Sequence, residues 1–192
     1  MEKTIICIGR EYGSGGHEIG KELASRLGLE LYDRKRLEEE ARKIGKFDEN
    51  KDFFREKAVN SLLYSIAVSY GEANPMEKSF ELIKELTHGK PAVIIGRCSG
   101  AVYENDSDAT TIFLHADKDC RIKRVMERDQ ISEKEASKMV KEVDEKRASF
   151  HKFCTGKAWE DASQYQLSID TGKVSISDAV ELIVNYIHAK SV

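Results

Sequence analysis

A chain of 192 residues, 40% of them apolar, is long enough to bury a full core, and its length fits one domain, or one domain with an insertion. Lys and Arg total 31 against 34 Asp and Glu, a formal net charge of −3, so any positive potential is local and no basic field exists to hold a nucleic-acid backbone. The four cysteines (Cys7, Cys98, Cys120 and Cys154) are scattered, with no C-x-x-C pair or Cys/His metal spacing, and no apolar run reaches membrane-spanning length. The expectation is a soluble cytoplasmic protein with reduced thiols, no nucleic-acid or membrane partner and no side chains assigned as metal ligands.

The first predicted element is a short apolar strand over 4 to 8. It runs through I-G-R-E-Y-G-S-G-G-H into an amphipathic helix whose Ile19, Leu23 and Leu27 share one face. Gly13, Gly15 and Gly16 lack a Cβ, so the backbone there can turn several N–H groups onto one anion, with the positive end of the helix behind them. Aligned on the second glycine of G-x-x-x-x-G-K-[ST], however, Gly16 stands where the lysine belongs and His17 where the magnesium-binding hydroxyl belongs. The cradle is present without its usual cation.

Two other readings of the segment are weaker. Gly15 to Lys21 satisfies G-x-x-x-x-G-K literally, but that places Lys21 a full turn inside the helix, as a solvated side chain behind the phosphates. Gly13-x-Gly15 followed by Asp33 has roughly the spacing of a dinucleotide site, but Glu18 occupies the third glycine's place and would set a carboxylate beside a pyrophosphate.

Further strands are predicted at 29 to 32, 91 to 95, 110 to 114 and 165 to 169, alternating with helices as in a parallel sheet covered on both faces. Residues 34 to 89 exceed what a crossover needs and read as a helical insertion, with helices near 34 to 45, 51 to 70 and 76 to 88. Asp117 is placed to cap a helix to about 128. Ser132-x-x-Glu135 forms a capping box for another to about 151, and a last helix spans about 176 to 189.

Ligands of open parallel sheets sit at the carboxyl ends of the strands. Here those ends carry Arg10 and Glu11, Asp33 and Arg34, Arg97, and His115-Ala116-Asp117. Arg97, directly after a wholly apolar strand, is read as functional, whereas Arg121 and Lys123 are read as a solvated helix face. Phosphoryl transfer needs an in-line acceptor and positive groups around an anionic transition state, and the planar fork of arginine suits phosphate oxygens. Arg10 and arginines further along the chain are therefore candidates to replace the missing lysine.

Taken together, I-G-R-E-Y-G-S-G-G-H-E-I-G-K-E-L-A, L-Y-D-R, I-I-G-R-C, I-F-L-H-A-D-K-D-C-R-I-K-R, D-E-K-R and I-D-T-G-K-V-S-I-S-D-A-V resemble the cytidylate kinase-like family, a divergent branch of the P-loop nucleoside monophosphate kinases. The resemblance implies an α/β, P-loop NTPase-like three-layer fold with a five-stranded parallel sheet. It further implies a core over 1–33 and 90–192, an acceptor-binding helical insertion over 34–89 and a lid near 124–132. Gly13, Ser14, Gly15, Gly16 and His17 match the donor phosphate loop, and Arg10, at the end of the first strand, is placed with them at the donor site as a candidate substitute for the lysine. Asp33, Arg97, Asp144 and Arg147 match the acceptor side, where Arg34 is a further candidate from its place after the second strand, and Arg97, Arg147 and the lid residues Arg124 and Arg128 are the candidate catalytic arginines. ATP or another nucleoside triphosphate with Mg2+ is the implied donor, and the acceptor is a small phosphorylated molecule, CMP being one candidate. Cys98 stands where true cytidylate kinases carry aspartate, and D-R-K-R-L replaces D-T-G-x-x-Y-R after the second strand.

The alternative function is a non-catalytic nucleotide or phosphometabolite binder that kept the cradle and lost the chemistry. A third expectation is a homo-oligomer surface on the insertion, formed by Phe53, Phe54, Leu62, Leu63, Ile66, Val68 and Tyr70.

Overall fold

The computed structural model describes residues 4–57 and 75–190. Five parallel strands, β1 (Ile5–Arg10), β2 (Glu30–Tyr32), β3 (Ala92–Ile95), β4 (Ala109–His115) and β5 (Leu167–Asp170), lie in the order β2-β3-β1-β4-β5. The order reverses beside β1, so the loop that leaves it opens onto the crevice where such sheets bind ligands.

Alternation along β1 explains why both faces are covered. Ile5 and Cys7 point into one core, with Ala92 and Ile94 of β3. Ile6 and Ile8 point into the other, with Val93, Ile112 and Leu114. The second core is closed by α1 (Gly16–Leu27) and α8 (Ile176–Lys190), the latter through Ala179, Val180, Ile183, Val184 and Ile187. Each fully buried Ile or Leu here contributes about 1.5–3 kcal/mol of transfer free energy.

The first core is covered by α2 (Arg34–Lys43), α3 (Lys51–Phe54), α4 (Pro75–Thr87) and the end of α7 (Glu133–Thr155). Helix α6 (Lys118–Asp129) packs on α7 through Ile122, Val125, Ala136 and Val140. Asp117 caps α6 through Cys120 N at 2.9 Å, and Ser132 and Glu135 close the capping box of α7. A one-turn helix, α5 (Ser99–Val102), follows β3 and was not foreseen.

The expected helix over 51 to 70 is not continuous. Helix α3 stops at Phe54, and Glu56 takes a left-handed φ of 52°. Phe53 and Phe54 are buried in the monomer, Phe54 stacked on Phe47 and Phe53 tilted against Phe150, so they supply no free surface for an oligomer. Leu62, Leu63, Ile66, Val68 and Tyr70 lie outside the described residues. Among the described residues no helix is long and apolar enough to cross a membrane.

Candidate active site

The glycine loop between β1 and α1 is held from behind by its carbonyls. Arg10 O accepts from Arg147 Nη1 at 3.0 Å, Tyr12 O from Arg121 Nη1 at 3.2 Å, and Ser14 O from the buried Thr171 hydroxyl at 2.8 Å. In a planar trans peptide the next N–H points the opposite way. The amides of Gly13 and Gly15 therefore face away from these braces, and neither has a partner among the described residues. Both glycines have positive φ, 81° and 77°, and α1 starts at Gly16 with no side-chain cap, so the first-turn amides and positive end of the helix adjoin the loop without a capping side chain. The residues fit a polyphosphate.

The bracing set is wider than the sequence suggested. Arg121, expected on a solvated face, is 8% exposed. It donates through Nε to Ala116 O at 3.0 Å and pairs with Glu11 and Asp144. Its partners are carboxylates and carbonyls of the loop and of the β4 end, which is why it turns inward. Lys123 is exposed. Asp144, expected beside the acceptor, has one oxygen on Tyr12 N at 2.7 Å and the other on Arg121, so it is a loop brace. Glu11 accepts from Ala116 N at 3.0 Å, and burial pushes its carboxyl above the ordinary carboxylate value.

Arg10, expected at the donor phosphates, is turned elsewhere. Its Cβ and Cγ lie where a side chain on Gly16 would need to be, 2.8 Å from the place of a Cβ, and its guanidinium lies against Gly96. It is thus the neighbour that excludes a loop lysine, and its charged end reaches the acceptor side. Burial, then the nearby Arg147, lowers its pKa to about 10.

There it meets Arg97, Arg147 and Glu56. Gly96, Arg97 and Cys98 have successive left-handed φ values of 76°, 56° and 53°, an uncommon run that curls the chain after β3 and carries Arg97 inward, 2% exposed. Glycine at 96 is favoured by the positive φ, and the Arg10 guanidinium lies in the space a Cβ would take. Glu56 contacts Arg97 Nη1 and lies 3.9 Å from both Arg10 Nη1 and Arg147 Nε. Burial alone would raise the Glu56 carboxyl, but Arg97, Arg10 and Arg147 outweigh it and hold it below its ordinary value. The Nε atoms of Arg97 and Arg147 are buried and have no hydrogen-bond partner among the described residues.

These four residues line one end of a cavity of roughly 650 Å³ that continues past Cys98 and His151 to Trp159 and Tyr165. The Cys98 thiol is raised well above its ordinary value by its hydrogen bond with Cys154 and by burial, so it stays neutral and offers no thiolate nucleophile.

The other expected residues lie around this centre. Arg124 donates to Thr171 O at 2.5 Å and Thr171 Oγ1 at 3.1 Å. Arg128 pairs with Asp129 and donates to the Tyr12 hydroxyl at 2.7 Å, and the guanidiniums of Arg128 and Arg147 lie 5.1 and 5.6 Å from the Tyr12 ring centroid. His17 is exposed, with Nδ1 3.8 Å from the Asp33 carboxylate. Asp33 caps α2 through Arg36 N at 2.9 Å, and Arg34 is exposed and paired with Glu38. Sequence reasoning missed Glu56 and gave Thr171 no role. Thr171 follows the last strand and could have been weighed with the other strand ends; nothing around Glu56 signals its turn.

Residues 5–173 match the cytidylate kinase-like family. The chain belongs to that family. Similar sequences include the cytidylate kinase of Pyrobaculum aerophilum, 28% identical over 186 residues (95% of this chain and 92% of that protein), and that of Pyrobaculum neutrophilum, 27% identical over 187 residues (96% and 92%). A crystal structure of an uncharacterized protein from Eubacterium ventriosum is 31% identical with a TM-score of 0.75, covering 96% of this chain and 98% of that one. Shikimate kinase from Acinetobacter baumannii (TM-score 0.53, 17% identity, 98% and 94% covered) shares the fold. The architecture is that of P-loop kinases, as the family resemblance implied.

Proposed function

We propose that this family member is a small-molecule kinase that moves the γ-phosphoryl group of a nucleoside triphosphate to a phosphorylated acceptor, with a nucleoside monophosphate such as CMP the first candidate. The observation that carries this reading is the juxtaposition of two anion sites of different chemistry. One is a loop whose free amides face outward; the other is a buried socket of Arg10, Arg97 and Arg147, with Arg10 touching both. The names of the Pyrobaculum relatives support the acceptor class.

In this reading the amides of Gly13, Gly15 and the first turn of α1 hold the donor phosphates, and the socket orients the acceptor's phosphate. An acceptor phosphate oxygen attacks the γ-phosphorus as the bond to the β–γ bridging oxygen breaks, giving a nucleoside diphosphate and a diphosphorylated acceptor. That oxygen is already ionised, so no general base is required, which suits a site whose carboxylates are all engaged with cations or amides. Arg124 and Arg128, beside Thr171 and Tyr12, are proposed to approach the transferred group when the turn at 130–132 closes. Mg2+ would neutralise charge on the phosphates; among the described residues little beyond Asp33, across from His17, is offered to it, since the Ser14 hydroxyl already donates to Glu11 O at 2.9 Å.

The test is coupled nucleoside-diphosphate release with ATP or GTP and a panel of acceptors. Turnover that requires a phosphomonoester is expected, and absence of acceptor-dependent turnover with either donor would discard the kinase. The second reading, a binder without catalysis, is favoured by one observation: Gly16 leaves the loop without its lysine. Tight, magnesium-independent nucleotide binding without turnover would select it.

A further inference from the structure

Glu56 takes no part in the transfer derived above, yet it occupies the centre of the socket. Its carboxylate touches Arg97 and stands 3.9 Å from Arg10 and from Arg147, its side chain is 12% exposed, and it reaches this place through a left-handed φ of 52° that a non-glycine residue adopts at a cost. The turn is tied by Glu56 N to Phe53 O at 3.1 Å and Lys57 N to Asp52 O at 2.9 Å. Meanwhile, among the described residues, the Nε donors of Arg97 and Arg147 have no hydrogen-bond partner. A planar carboxylate satisfies this socket incompletely.

We infer that Glu56 sets the charge class of the acceptor: its carboxylate is an internal counterion on the three arginines, and an acceptor binds by displacing it, which admits a phosphomonoester dianion and rejects a carboxylate. The inference rests on the acceptor site proposed above. The selection follows from exchange. A carboxylate ligand would swap one single negative charge for another, leave three guanidiniums facing one anion as before, and still lose the freedom of a separate molecule. A phosphomonoester carries close to two negative charges above its second pKa of about 6, and its three terminal oxygens extend out of one plane to donors that Glu56 does not reach.

The experiment is titration calorimetry at pH 8 with inorganic phosphate and acetate as probes, on the full chain and on Glu56→Gln, each repeated with Arg97→Ala to separate the socket from the glycine loop. The native chain is expected to bind phosphate and not acetate. Glu56→Gln should bind phosphate roughly tenfold more tightly and bring acetate into the measurable range, and neither gain should survive Arg97→Ala. If Glu56→Gln does not fold, Glu56→Asp, which withdraws the carboxylate by one methylene, should move both affinities the same way by less. Phosphate binding that is unchanged or weaker in the variant, or a gain that persists without Arg97, overturns this inference and leaves the acceptor site standing. No phosphate binding by any of the proteins removes the anion socket and the inference together.

Discussion

Arg97 is almost wholly removed from water, with one carboxylate against its Nη1 and, among the described residues, no hydrogen-bond partner for its Nε. Burying a guanidinium so incompletely paired is unfavourable, and in a cleft it points to a ligand that completes the set. Lysine at this position would keep the charge and lose the fork, so Arg97→Lys is expected to lower kcat/KM for the acceptor about 10²-fold while the KM for the triphosphate stays near the native value. Steady-state kinetics with each substrate varied in turn decide this, and a selective rise in the triphosphate KM would move Arg97 to the donor side. Glu56 carries a pH signature of its own. Its folded pKa lies below the ordinary 4.5, so the stability it contributes is complete above that value and is lost as the pH falls from there through the folded pKa. Thermal denaturation between pH 7 and 3 should therefore show an acid-side fall in melting temperature that is shallower in Glu56→Gln than in the native protein.

The element that most needs its neighbours is the glycine loop, whose shape is imposed from β4, β5, α6 and α7 rather than by the loop itself. Removing Arg121 would strand Glu11 and Asp144 and free Tyr12 O, so Arg121→Ala is expected to cost about 3–5 kcal/mol in chemical denaturation, as for a broken buried ion pair. Gly16→Ala must push Arg10 aside and is expected to cost about 1–3 kcal/mol. Gly16→Lys, which would restore the usual loop sequence, is for the same reason expected to lower acceptor turnover instead of raising it. How much of this was legible in the sequence follows from how local each signal is. The strands, the caps at Asp117 and Ser132 and the three loop glycines are short-range patterns and could be read directly. The left-handed break at Glu56 could not, because no glycine or proline marks it and tertiary ion pairs hold it. Arg121, Arg124, Arg128 and Lys123 share one helix and one chemistry. Which of them turns inward depends on Glu11, Asp144 and Thr171, placed opposite by residues far along the chain, and spacing alone does not carry that.

At the scale of the whole molecule, two apolar cores separated by a parallel sheet fix the carboxyl ends of β1, β3, β4 and β5, and the loop and the socket are what those ends support. Arg10 links the two, its stem under the loop and its guanidinium in the socket, so the donor and acceptor sites share a wall. Phosphoryl transfer depends on that adjacency, since the reacting oxygens have to be brought in line within a few ångströms of the γ-phosphorus. The most direct measurement is a crystal structure of the protein with a non-hydrolysable triphosphate, Mg2+ and CMP. The expected result has the β- and γ-phosphates on the amides of Gly13, Gly15 and the start of α1, and the CMP phosphate hydrogen-bonded to Arg97 and Arg147 in the place Glu56 now holds. A loop empty of phosphate, or an acceptor bound away from these arginines, would contradict it.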